Sequence, residues 1–187
     1  MIKMIELKLI GDLTQQEQFL AAQIMAGFNP NIRDMPLEER PKDAVIAELE
    51  QLLTPGLRVV VTGLYNGKVA GVYIIPRFFR KDETLVNDVL GSYFIVEPRE
   101  NGIGSEFMAS LSSLFEKLAD RCNAAHLTHF GRYWRGNEYL LRHGYTDRGH
   151  HVVADLRICA KEYPARPHNL SQNEDRIVEA FASMMHK

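Results

Sequence analysis

The stretch from residue 90 to residue 122 constrains this chain more than any other. Leu90–Val96 is an apolar run of strand type, ended by Glu97-Pro98. A short polar segment, Arg99-Glu100-Asn101-Gly102-Ile103-Gly104, follows. Residues 103–122 then carry Phe107, Met108, Leu111, Leu114, Phe115, Leu118 and Cys122 at the spacing of one helix face. A strand joined to a long helix through a glycine loop belongs in a mixed α/β layer, with the helix packed back onto the sheet. The same arrangement traps anions. The first N–H groups of a helix lack intrahelical partners, and the helix dipole places partial positive charge there. Glycine lets the backbone close on a phosphate without a Cβ in the way. Arg99 adds a positive charge and Ser105 a hydroxyl. A plain glycine turn is the competing reading. Two other phosphate motifs are excluded: Gly104 is followed by Ser105-Glu106 rather than Lys-Ser/Thr, and Phe107 occupies the place of the third glycine of a dinucleotide fingerprint.

The rest of the chain fits the same class. Residues 4–10 read as a first strand, ended by Gly11-Asp12. Thr14 and Glu17 form a capping box before Phe19, Leu20, Ile24 and Met25, and Gly27 is a helix stop. Residues 28–41, with Pro30, Pro36 and Pro41, read as a loop. A second helix places Val45, Ile46, Leu49, Leu52 and Leu53 on one side and closes at Pro55-Gly56. Leu57–Tyr65 and Lys68–Ile75 flank Asn66-Gly67, the strongest short hairpin signal, and Pro76 weakens or ends the pairing. Residues 80–88 read as a loop. Ala125–Phe130 reads as a strand, Trp134–His143 as a short helix stopped by Gly144, and 151–158 as a last strand. Pro164 and Pro167 mark a linker, and Ser171 with Glu174 offers a second capping box for a terminal helix with Ile177, Val178, Phe181, Met184 and Met185 on one stripe. The expected division is a domain over 1–158, then a linker and helix over 159–187. That helix must dock on its own domain or on a second subunit, which would make a homodimer.

Formal net charge is −2, so the basic footprint of a nucleic-acid binder is absent. A mildly acidic surface suits a cationic or amine substrate. The two cysteines, Cys122 and Cys159, give neither a disulfide framework nor a zinc pattern. His126 and His129 lie an odd offset apart on a strand and face opposite ways, as do His150 and His151, so no metal site is expected. No leader-type apolar run opens the sequence, and no stretch approaches the ~20 apolar residues of a membrane span. The expected setting is reducing and cytoplasmic, with no membrane partner.

Arg99-x-x-Gly102-x-Gly104 matches the R/Q-x-x-G-x-G/A signature of the GNAT superfamily of N-acetyltransferases. Val96-Glu97-Pro98 resembles that family's V-x-P at the end of its fourth strand, and Gly144-Tyr145 its closing Gly-Phe. The element order β-α-α-β-β-β-α-β-α-β is also similar, and the resemblance covers roughly residues 4–158. It implies the acyl-CoA N-acyltransferase fold, a mixed α/β (α+β) domain with a mostly antiparallel sheet flanked by helices. It implies acetyl-CoA as co-substrate and a primary amine as acceptor. Phe94, Ile95 and Val96 would contact the pantetheine arm. Arg99, Glu100, Asn101, Gly102, Ile103, Gly104 and Ser105 would line the pyrophosphate loop.

The chain departs from the family pattern in three places. Pro98 and Arg99 are adjacent, where many members have two further residues before the first glycine. The position of the usual acidic Tyr holds Leu140, with Tyr139 beside it, and Asn137 lies one turn after the usual Asn, whose place holds Tyr133. The fourth strand lacks the usual Glu. The candidates for base and acid are therefore Asp88, Glu97, His129 and Tyr139. Two readings follow: an N-acetyltransferase of unidentified acceptor, or a catalytically weak module of the same fold that binds acyl-CoA or works through protein contacts.

Overall fold

The computed structural model describes residues 5–56, 58–76, 89–96, 103–122, 126–131, 134–151, 156–162 and 172–185. Asn66 and Gly67 both take positive φ, 52° and 76°, as a two-residue hairpin turn requires. They join β2 (Arg58–Tyr65) to β3 (Lys68–Pro76). Strand β1 (Ile5–Leu9) flanks β2, and β4 (Val89–Val96) flanks β3. Beyond them lie β5 (His126–Gly131), β6 (Thr146–His151) and β7 (Leu156–Glu162). Among the described residues, seven strands form one sheet in the order β1-β2-β3-β4-β5-β7-β6. Every neighbouring pair is antiparallel except β4 and β5, which are parallel. Parallel neighbours need a crossover, and α3 (Ile103–Cys122) supplies it.

Alternation along the strands sorts the core into two layers. Val60, Leu64, Val72 and Ile74 face helices α1 (Gln15–Ala26) and α2 (Lys42–Leu53), where Ala21, Ala22, Ile24, Val45 and Leu52 are buried. Val59, Val61, Tyr73 and Ile75 face α3 on the other side, with Leu140 from α4 (Trp134–Arg142) and Ile177, Val178 and Phe181 from α5 (Gln172–Met185). Thr14 caps α1 as the sequence predicts: Glu17 N–H donates to its hydroxyl at 3.2 Å, and Thr14 N–H donates to the Glu17 carboxylate at 2.8 Å. The terminal helix covers its own domain. Lys117 of α3 pairs with Glu174 at 2.5 Å with both side chains mostly buried, and Arg176 pairs with Asp12. Ser171, the other half of the expected capping box, lies outside the described residues.

Several expectations change. The single strand expected over 151–158 is two strands, β6 and β7. Thr146-Asp147-Arg148-Gly149-His150-His151 has no apolar alternation to read, because an edge strand, exposed here at Thr146–Gly149, needs none. Gly149, at φ 108°, breaks the register there. Cys159 lies within β7 as a buried thiol outside any disulfide. On α2, Ile46 and Leu53 are exposed, so the buried face is narrower than the sequence stripe.

Gly27 ends α1 in ordinary right-handed backbone, φ −69°, so left-handed geometry is not its reason. A Cβ there would lie 2.5 Å from the Arg40 guanidinium. Arg40 is 5% exposed. It donates to the carbonyls of Gln23 (2.5 Å), Ile24 (3.2 Å), Arg33 (3.0 Å) and Met35 (3.3 Å). One side chain thus closes the end of α1 and holds the loop that follows. Lysine cannot reproduce this planar fork. Arg40→Lys is expected to destabilise the chain by about 2–4 kcal/mol in denaturant titration; a loss below about 0.5 kcal/mol would contradict this role.

Candidate active site

Strands β4 and β5 run side by side only from Val89–His126 to Tyr93–Phe130. Beyond that pair they attach to different neighbours. Phe94, Ile95 and Val96 continue on β3, opposite Tyr73, Val72 and Gly71, while Gly131 continues on β7 opposite Arg157. Among the described residues the β4–β5 pairing therefore ends, as a fork, before Phe94 and Gly131. Successive backbone groups of a strand point to alternate sides, so part of the amide edge of 94–96 faces the fork rather than a strand.

Helix α3 begins at Ile103, beside the end of β4, and its position is fixed by packing. Gly63 and Gly71 are directly opposite across β2 and β3, and Gly71 is in turn opposite Val96. The Phe107 ring fills the space above the glycine pair: a Cβ on either glycine would overlap it. Phe107 is fully buried. The first turn of α3 is thereby bolted to the sheet row where β4 ends. Sequence reading placed Phe107 in the core and missed both glycines. Isolated glycines inside a strand pattern signal close approach, and that signal was available.

Gly104 lies in the first turn of α3, and a Cβ added there would meet nothing within 4 Å. This turn offers free N–H groups, open space and the positive end of a long helix, which fits a pyrophosphate. Ser105 beside it is exposed. Asp88, Glu97, Arg99, Glu100, Asn101 and Gly102 lie outside the described residues. His129 sits opposite Ser92, one pair before the fork opens. Asn137 lies on α4.

Tyr139 is half-buried on α4, and burial raises its hydroxyl above the ordinary tyrosine range. Its ring stacks on His143 at 4.0 Å, and His143 Nδ1 lies 2.8 Å from the Tyr139 carbonyl oxygen. Leu140 is fully buried with Phe107 in the α3 core. The adjacent Tyr139 and Leu140 thus divide their work: Leu140 packs and Tyr139 keeps a protonated hydroxyl. Tyr145 is buried too, and burial first, then the Glu116 carboxylate, raises its hydroxyl strongly. Among the described residues, no three His, Cys, Asp or Glu side chains converge as a metal site, and no helix is long and apolar enough to cross a membrane.

No protein-family model matches the sequence, and no curated protein matches it. Solved structures do. The fold is similar to aminoglycoside 6'-acetyltransferase type Ii, with TM-score 0.58 and 13% identity over 89% of this chain and 100% of that one. It is similar to the N-acetyltransferase PseH of Campylobacter jejuni in complex with acetyl coenzyme A, with TM-score 0.54 and 12% identity over 86% and 100%. It is also similar to an acetyltransferase from Thermus thermophilus, with TM-score 0.53 and 11% identity over 85% and 97%. At these identities the likeness is one of fold. The chain has the GNAT N-acetyltransferase fold, a mixed α/β sheet flanked by helices.

Proposed function

We propose that this chain is an N-acetyltransferase that moves an acetyl group from acetyl-CoA to a primary amine. The fork beyond Tyr93–Phe130, leading to the open first turn of α3, is the observation that carries this reading. The strand edge at Phe94, Ile95 and Val96 binds the pantetheine arm. The loop from Arg99 through Ser105 holds the pyrophosphate, with Arg99 as countercharge and Gly102 and Gly104 leaving room for it. Acetyl-CoA supplies an acetyl thioester, and the chain supplies proton handling and position. His129, at the root of the fork, Glu97 or Asp88 takes the proton of the incoming amine. Tyr139 returns a proton to the departing thiolate, and Asn137 orients the cofactor.

A second reading has its own support. Leu140 stands where the family places its acidic tyrosine and is locked in the core, which favours a weakly catalytic acyl-CoA-binding module.

Release of CoA thiol separates the two. The enzyme reading expects release that rises with added amine. Bound acetyl-CoA with no amine-dependent release across small amines, peptides and amino sugars would establish the module instead. Within the enzyme reading, Tyr139→Phe is expected to lower kcat about a hundredfold with KM for acetyl-CoA unchanged. Unaltered kcat would remove Tyr139 from the mechanism.

A further inference from the structure

A cavity of about 340 Å³ lies on the α1/α2 face, outside the fork. Its apolar wall includes Met25, Phe28, Leu52 and Ile74. Ile74 places it: Ile74 is opposite Tyr93, the last β4 residue paired with β5. One wall residue of the cavity is thus the cross-strand neighbour of the β4 residue at the root of the fork. Phe28 belongs to the loop that Arg40 holds through the Arg33 and Met35 carbonyls, so this wall is preformed.

Two charges line the cavity, Glu48 and Arg58, and they are not equivalent. The Arg58 guanidinium donates to the Gln51 carbonyl in the last turn of α2, where a cation complements the helix dipole. Glu48 is half-buried, with Arg58 as its charged neighbour and no hydrogen bond to its carboxylate among the described residues. Burial raises its carboxyl above the usual range, and the nearby Arg58 partly offsets this. A carboxylate that is costly to leave half-dry and that has no donor is completed by a cationic ligand group.

We propose that this cavity binds an amine acceptor carrying a second cationic group, with Glu48 as the anchor for that group and the apolar wall holding the methylenes between. The assignment rests on the acetyltransferase reading and deepens it by naming the acceptor class: a diamine or larger polycation. The amine that reacts reaches the fork past Ile74, and the amine that stays charged remains at Glu48.

The test uses putrescine and butylamine, which share a four-carbon spacer and differ in the second amine. Each is titrated calorimetrically into the full chain and into Glu48→Gln, and each is assayed for thiol release from acetyl-CoA. The glutamine is isosteric and removes only the charge, so a thermal midpoint close to that of the wild type is the folding control. Putrescine is expected to bind the wild type at least tenfold tighter than butylamine, and Glu48→Gln to abolish that preference without weakening butylamine. Equal binding of the two amines, a preference that survives Glu48→Gln, or tighter binding of butyrate through Arg58 would overturn the assignment. A putrescine preference with no thiol release from putrescine, other small amines, peptides or amino sugars would leave the cavity standing and remove the acetyltransferase reading. Thiol release with butylamine and no putrescine preference would do the reverse.

Discussion

Phe107→Ala is expected to lower stability by about 3–5 kcal/mol, and Gly71→Ala by about 1–3 kcal/mol. The two losses have opposite causes. Removing the ring leaves a cavity above two strands, whereas adding a methyl to Gly71 drives that ring out of its slot. The combined variant should therefore be less damaged than the sum, because the new methyl enters space the ring has vacated. Denaturant unfolding of the four proteins measures this coupling. Additive losses would mean that Phe107 does not rest on Gly71 and that the start of α3 is placed by something else. The consequence reaches function, since the same contact sets the first turn of α3 against the end of β4.

Gly104→Glu separates binding from folding. The substitution replaces glycine by a better helix former, worth up to about 1 kcal/mol, and puts a carboxylate at the positive end of a helix. The added Cβ meets open space. Without cofactor, the variant should be as stable as the wild type or slightly more so. Against a pyrophosphate the same carboxylate is a like charge in the space the ligand needs, and acetyl-CoA affinity should fall at least a hundredfold. Retained affinity would place the phosphates elsewhere. Lost affinity together with lost stability would mean that the glycine serves the fold.

The elements that positioned the fork were legible because their signals are local and strong. Asn66-Gly67 fixed the hairpin, the Thr14–Glu17 pair fixed the start of α1, and the stripe from Phe107 to Leu118 fixed α3. Strand β6 was hidden because an exposed edge strand needs no apolar pattern. Gly27 ends α1 as its sequence position predicts, but the reason is a guanidinium that arrives from thirteen residues later in the chain. Arg40 and Glu48 were invisible for the same reason: their roles come from tertiary neighbours rather than sequence neighbours. The swap of Tyr139 and Leu140 was visible in sequence, and burial gives it a meaning, because Leu140 is the one that packs.

The central claim is that the fork and the first turn of α3 receive acetyl-CoA. Thermal unfolding of the full chain with increasing acetyl-CoA tests it most directly, beside Gly104→Glu. A ligand held only by the native state adds about 2.7 kcal/mol of stability at a hundredfold excess over Kd. The account predicts a rising midpoint in the wild type and a flat one in the variant. An unchanged wild-type midpoint at millimolar acetyl-CoA would contradict it.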